Sequence, residues 1–450
     1  MLFILRLVNK EILKLAIPSI LANITVPIVG MVDIAVAGHL TGEVATMIGG
    51  IAIGTMLFDL LYWNFGFLRV GTGGLTAQAC GRKDDKECAR ILTRALAISM
   101  TFALVLIAIQ WIFVKAAFTV VDCTPEVRQL ASKYFYIRIW AAPATLSLMA
   151  FKGWFIGMQD SVSPMVTDFV VNGMNVLMSI VLALGPLGFS GIAWGTVVAQ
   201  YSGLLIAAIL LVTRYARKVF TDIRMADLKG LFAGAETRRF FVMNTDLFVR
   251  SLCFIAIYIG FTTISASYGD LLLAVSSIMM KLLMIFSYFT DGFAYAGEAL
   301  VGKYIGAGDR PMLRQSVKWT FIWSMAIAMI FMGTYHFAGV PMLKVMTSDG
   351  AVVEQSREYL SWLLLMPVIG CAAFTWDGIY IGATASKEIR NAMLWAVVAF
   401  IGVWAIGIFG FKISEPVSAM HVLMAAYFAH LLARTIYLSV RYKKTVLSYV

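Results

Sequence analysis

Long apolar stretches separated by short polar breaks run the whole length of the chain. A membrane crossing needs about 20 apolar residues. Stretches that long lie near 12–37, 46–78, 91–117, 127–151, 165–186, 190–213, 239–262, 270–302, 316–336, 353–378, 391–411 and 417–440, and each predicts a transmembrane helix. Six fall in each half. The breaks GPLG at 185–188, DCTP at 122–125 and GAGDRP at 306–311 are Gly or Pro clusters at which a helix must stop. Within the first stretch Pro18 and Pro27 each remove a backbone hydrogen bond, so the first helix is expected to kink or hinge at those two positions.

Two short strings of the first half recur in the second, both displaced by the same distance along the chain. Leu75, Gly81 and Asp84 in LTAQACGRKD fall on Leu300, Gly306 and Asp309 in LVGKYIGAGD, and Gly153, Ile156 and Gly157 fall on Gly378, Ile381 and Gly382. One offset for both pairs indicates two copies of one module. Six helices is an even number, so both copies enter the membrane in the same orientation and the repeats are parallel. The expected fold is an all-α membrane protein of twelve transmembrane helices in two parallel six-helix repeats (lobes) around a central cleft. The N-terminal six-helix lobe is expected over 1–213, a cytoplasmic linker over 214–238 and the C-terminal six-helix lobe over 239–450. ADLKGLF in the linker reads as a short amphipathic helix on the membrane surface.

Composition agrees with lipid as the solvent. Charged residues make up 14% of the chain and hydrophobic ones 60%, against about 25% charged in a globular protein. The net charge of +11 raises the question of nucleic acid, but the basic residues alternate by loop. The N-terminus has Arg6, Lys10 and Lys14, the second loop Arg82, Lys83, Lys86, Arg90 and Arg94, and the sixth seven more between Arg214 and Arg239. Odd-numbered loops are nearly bare. That is a topology signal with both termini and the even loops in the cytoplasm, and not the single basic face of a nucleic-acid binder.

The first stretch opens with charged residues and has no small-residue cleavage site, so it reads as a retained helix. The five cysteines lack metal-ligand spacing. There is no phosphate loop, and the four histidines are scattered. Neither an enzyme nor a metal or organic cofactor is expected; energy must come from an ion gradient, with H+ or Na+ as the coupling ion, or from a partner.

Ionisable groups inside hydrocarbon are expensive and mark functional positions. Asp33 lies deep in the first helix, and a carboxylate there can bind and release a proton, or hold Na+ where other oxygens assist. Asp59 reaches a similar depth on the second helix and is a candidate to share that site. Asn172, Asn175 and Ser179 share one face of the fifth helix, and Thr196 opens the sixth. These four suit a cation near Asp33, and equally suit hydrogen bonds between helices. In the second half Asp291 and Glu298 lie seven apart, on one face. Arg69 lies at an intermediate depth and is expected to face that pair across the cleft. Lys152 and Asp377 hold the same repeat position with opposite charge, which suggests a second pair between halves or snorkelling to the interface. Asp246 and Arg250, one turn apart, are expected to satisfy one another.

Several long strings resemble the multidrug and toxic compound extrusion (MATE) family, and within it the DinF-like branch. They are Pro18 to Asp33, RVGTGGLTAQACG at 69–81, DGFAYAGEALVGKYIGAGD at 291–309, and DGIYIGATAS at 377–386 followed by RNAM at 390–393. The resemblance implies two six-helix lobes that export amphipathic, often cationic organic compounds in exchange for H+ or Na+. It also implies that Asp33 couples the ion, with Pro18 as the kinking proline and Asn175 as the fifth-helix asparagine. Members that bind Na+ in the first lobe tend to carry an acid four residues after that asparagine; Ser179 stands there instead, which favours protons.

The leading expectation is a monomeric multidrug exporter of the inner membrane, working by H+ antiport and switched by protonation of Asp33. A lipid-linked oligosaccharide flippase of the same superfamily is the alternative, although the deep acids outnumber the deep bases. A non-transporting sensor or assembly protein would not need the duplication. The topology has a direct test. A periplasm-dependent reporter fused in the loop near Lys412 should be active, and the same reporter fused after Lys444 should be silent; the reverse pattern would refute the assignment.

Overall fold

The computed structural model describes every residue except 1, 41, 42, 120, 122, 186, 220–231, 233, 348 and 450. Among the described residues the backbone is helical apart from short turns. In chain order the helices are α1 (Leu2–Ile24), α2 (Val26–Gly38), α3 (Val44–Trp63), α4 (Phe67–Gly81), α5 (Asp85–Ala117), α6 (Pro125–Arg138), α7 (Ala142–Gly157), α8 (Val162–Leu184) and α9 (Phe189–Val219). They continue with α10 (Ala235–Ser267), α11 (Asp270–Ala307), α12 (Arg310–Met346), α13 (Gly350–Glu358), α14 (Leu360–Gly382), α15 (Ser386–Ala405) and α16 (Pro416–Thr445). Three pairs, α1 with α2, α3 with α4 and α6 with α7, each make one long apolar span, so the described residues hold 12 spans long and apolar enough to cross a membrane.

The first span breaks at Thr25 between α1 and α2, with Pro27 in the first turn of α2, where its missing N–H goes unnoticed. Pro18, expected to be a second kink, lies inside a continuous α1. The break thus lies beside Pro27.

The helices sort into two compact units, Leu21–Phe240 and Met1–Ile20 together with Phe241–Val450. The chain thus divides near Phe240, and Met1–Ile20 groups with the residues from Phe241 onward. Polar anchors on α1 explain this. The Glu11 carboxylate accepts hydrogen bonds from Lys303 Nζ at 2.7 Å and Tyr304 OH at 2.6 Å, and Asn9 accepts one from Trp323 Nε1 at 2.8 Å. Apart from Phe232, the ADLKGLF string lies outside the described residues.

The duplicated motifs have the same physical meaning in each unit. A Cβ on Gly153 would sit 2.1 Å from the Arg69 carbonyl oxygen, and one on Gly157 would sit 2.7 Å from that of Gly73. In the other unit, a Cβ on Gly378 would meet the Ala294 carbonyl oxygen at 2.1 Å and one on Gly382 the Glu298 carbonyl oxygen at 2.4 Å. Each contact in the second unit is thus the repeat of one in the first, glycine and carbonyl partner alike. The small-xxx-small spacing lets α7 lie backbone to backbone on α4, and α14 on α11.

Asp84 and Asp309 cap α5 and α12, accepting from Glu87 N and Met312 N at 3.0 Å each. The residue before each cap is left-handed, Lys83 at φ 59° and Gly308 at φ 70°. Asp160, in the turn after α7, accepts from Val162 N, Ser163 N, Arg214 Nη1 and Tyr215 OH at 2.9–3.1 Å. Burial pushes its carboxyl pKa up, but the bonds from Ser163 and Tyr215 and the Arg214 charge outweigh that and hold it below the ordinary range.

Gly153→Ala and Gly378→Ala should each destabilise the detergent-purified protein by about 1–3 kcal/mol, because two backbones must part. Gly30→Ala and Gly333→Ala, where nothing lies within 4 Å of the added carbon, should not. Thermal unfolding followed by size-exclusion chromatography reads the difference.

Candidate functional site

In the unit Leu21–Phe240, α2, α8 and α9 converge on one buried carboxylate. Asp33, just under two turns after Pro27, is 7% exposed. α8 brings Asn172, Asn175 and Ser179 on a shared face, as their spacing predicts. α9 can come close because it offers no side chain at two points. A Cβ on Gly195 would lie 2.6 Å from Ser179 N, and one on Gly191 2.3 Å from the Leu182 carbonyl carbon. That approach places Thr196 against Asn175.

The resulting hydrogen bonds form a chain. Thr196 Oγ1 donates to the Ile192 carbonyl at 3.4 Å and accepts from Asn175 Nδ2 at 3.0 Å. Ser179 Oγ donates to Asp33 Oδ1 at 3.0 Å and lies 3.5 Å from Asn175 Oδ1. Its single proton therefore has two acceptors to choose between, and the shorter contact is to Asp33. Asn175, Ser179 and Thr196 are all buried. Asn172 Nδ2 donates to Thr25 Oγ1, the residue at the break between α1 and α2. Hence α8 holds both the carboxylate and the helix break that precedes it.

Asp33, Asn172, Asn175, Ser179, Thr196 and Pro27 are thus gathered in one region. Asp59 is not buried with them; it is exposed on α3. Arg138 of α6 escaped notice in the sequence, although an arginine inside an apolar stretch was itself a signal. Its guanidinium lies over the Phe58 ring at 4.8 Å, bonds Tyr134 OH at 3.0 Å, and is within electrostatic reach of Asp33 and Asp59.

Other charges pair differently from expectation. Lys152 and Asp377 each bond a partner within their own unit. Lys152 Nζ binds Asp168 Oδ2 at 2.8 Å in the first unit, and Asp377 Oδ2 takes Arg250 at 2.7 Å and also Arg434 in the second. Asp246 does not hold Arg250; it accepts from Arg390 Nη1 at 2.6 Å and Ser386 Oγ at 2.8 Å. Both α10 side chains turn inward onto neighbouring helices, where a desolvated partner binds more strongly than one along the same helix. Arg69 is half-buried on α4, whereas Asp291, half-buried, and Glu298, fully buried, lie on α11 of the other unit.

Comparison with known proteins agrees with this arrangement. The MatE family model matches twice, over residues 18–181 and 247–410. DNA damage-inducible protein F of Escherichia coli strain K12 is 34% identical over 393 residues, which cover 87% of this chain and 84% of that protein. A probable multidrug resistance protein NorM of Photorhabdus laumondii is 22% identical over 410 residues, covering 89% and 86% of the two chains. The crystal structure of MATE in the bent conformation superposes with a TM-score of 0.85 at 14% identity, covering 98% of this chain and 97% of that one, so the fold is shared. Matched once in each half by the family model, and over most of its length by a relative at 34% identity, this multi-pass membrane protein belongs to the MatE family, in its DinF-like branch.

Proposed function

We propose that the protein is a secondary multidrug exporter that expels amphipathic, mainly cationic compounds in exchange for H+, working as a monomer in the bacterial inner membrane with both termini in the cytoplasm. The NorM relative's name as a multidrug resistance protein supports the class of cargo. The observation that carries the coupling is the buried Asp33 carboxyl on the Ser179–Asn175–Thr196 chain.

The chemistry follows from hydrogen-bond polarity. With Asp33 ionised, the carboxylate accepts from Ser179, and its negative charge attracts a cationic cargo. Once Asp33 is protonated it can donate to Ser179 Oγ, and the Ser179 proton swings to Asn175 Oδ1, 3.5 Å away. The charge is gone and the hydrogen bond between Asp33 and Ser179 is reversed. Because Asn172 ties the same helix to Thr25, the change is felt at the break in the first span, with Pro27 beside it, and bending there releases the cargo.

Protons suit this site better than Na+. The donor set holds one carboxylate and neutral oxygens, with Ser179 where a second acid would strengthen cation binding. Arg138 stands within electrostatic reach of Asp33. A sodium ion would compete with a guanidinium that a proton does not displace.

In liposomes holding the purified protein, a pH step without Na+ should drive efflux of a fluorescent cationic dye, and a Na+ step at constant pH should not. Asp33→Asn should reduce efflux to the rate of empty liposomes. Ser179→Asp, which supplies the second acid, should make efflux respond to Na+. Wild-type efflux that follows Na+ and ignores pH would overturn the proposal.

A further inference from the structure

In the unit Met1–Ile20 with Phe241–Val450, an open groove of about 380 Å³ runs between α15 and α16. Trp395, Val398 and Ala399 of α15 and Ala433, Ile436 and Tyr437 of α16 line it. Each set follows i, i+3 and i+4 spacing, so one face of each helix makes one wall. The small side chains of Ala399 and Ala433 leave the space, and Trp395, Val398 and Ile436 beside them are each more than half exposed. Its volume lies in the range of about 300–1,000 Å³ typical of small-molecule sites. Both helices are membrane spans, so what reaches this groove first is lipid.

One end of the groove is charged. Tyr437 OH donates to Glu388 Oε2 at 2.8 Å, and Arg441, one turn further along α16, bonds the same oxygen through Nε at 3.2 Å. A tyrosine whose ring lies on an apolar wall and whose hydroxyl meets charged groups marks the depth at which hydrocarbon gives way to headgroups. Lys444 and Lys443 each lie two turns beyond a groove residue, Tyr437 and Ile436, and so leave α16 on the groove side. Lys387 lies three turns before Val398, on the groove side of α15. Glu388 is matched by Arg441, and Arg390 by Asp246. Lys387, Lys443 and Lys444 are exposed and make no ion pair among the described residues. The apolar groove therefore leads to three positive charges that the described side chains do not neutralise.

We infer that this groove seats one anionic phospholipid. An acyl chain fills the space over Ala399 and Ala433, and the headgroup phosphate lies beyond the Tyr437 hydroxyl, where Lys387, Lys443 and Lys444 supply its counter-charge. The groove by itself would take any lipid chain; the lysines select the charge. Long, flexible lysine stems suit this task, because each ammonium can follow a headgroup while its methylenes stay against the apolar wall. The site does not depend on what the protein exports and stands or falls without that reading.

Native mass spectrometry of the purified full-length protein, titrated in detergent with phosphatidylglycerol or with phosphatidylcholine of the same acyl chains, tests this. One phosphatidylglycerol should be retained, with an apparent affinity about tenfold or more above that of phosphatidylcholine. Ala433→Phe, which fills the groove, should lower that retention to the phosphatidylcholine level. So should the combination of Lys387→Gln, Lys443→Gln and Lys444→Gln, whereas Lys412→Gln, at the opposite end of the same two helices, should leave it unchanged. Equal retention of the two lipids, undiminished retention in either groove variant, or displacement of the lipid by excess inorganic phosphate would overturn the site. If Ala433→Phe does not fold, the lysine variant, altered only at exposed positions, decides.

Discussion

A carboxyl group enclosed by helices in a membrane must be either neutralised or compensated, and Asp33 is placed so that both conditions are reachable. Its charge is met by one serine hydroxyl and the field of one arginine. That is enough to retain an anion without fixing it permanently. Contrast Asp377, which is held by two guanidinium groups on a single oxygen. The two halves thus use a buried aspartate in opposite ways. One is held by a single hydroxyl, and the other by two guanidinium groups.

The scaffold makes the light hold possible. Backbone contacts at Gly191 and Gly195 bring α9 against α8 and set Thr196 beside Asn175. Without that approach Asn175 would turn elsewhere, and Ser179 would lose its second acceptor. The same device, glycine against a carbonyl, supports both copies of the module through Gly153 and Gly378. The first span is itself interrupted, at Thr25. The interruption is also close to where the two units divide, since the residues before it are anchored by Asn9 and Glu11 to α11 and α12.

Much of this could be read from the chain because it is written at short range. Twelve apolar stretches, the constant offset between the two copies, and the run Asn172, Asn175 and Ser179 are patterns visible in the string itself. Placing Asp33 with that run required only the cost of a charge in hydrocarbon. What could not be read were pairings between distant helices. Asp377 finds Arg434 and Arg250 across 57 and 127 residues, and one-turn spacing wrongly suggested Asp246 for Arg250. Lys152 found Asp168 on the next helix, a carboxylate that the repeat comparison passed over because it has no counterpart at the matching position, which is Met393. The placement of Met1–Ile20 was hidden for the same reason, since Glu11 and Lys303 are 292 residues apart.

The central claim is that Asp33 itself takes up and releases a proton, with Ser179 reversing its hydrogen bond. Infrared difference spectroscopy of the reconstituted protein measures this directly. On acidification the carbonyl stretch of a protonated carboxylic acid should appear, be missing in Asp33→Asn, shift in Ser179→Ala, and be indifferent to Na+. A band that persists unchanged in Asp33→Asn, or that Na+ abolishes at constant pH, would contradict the account.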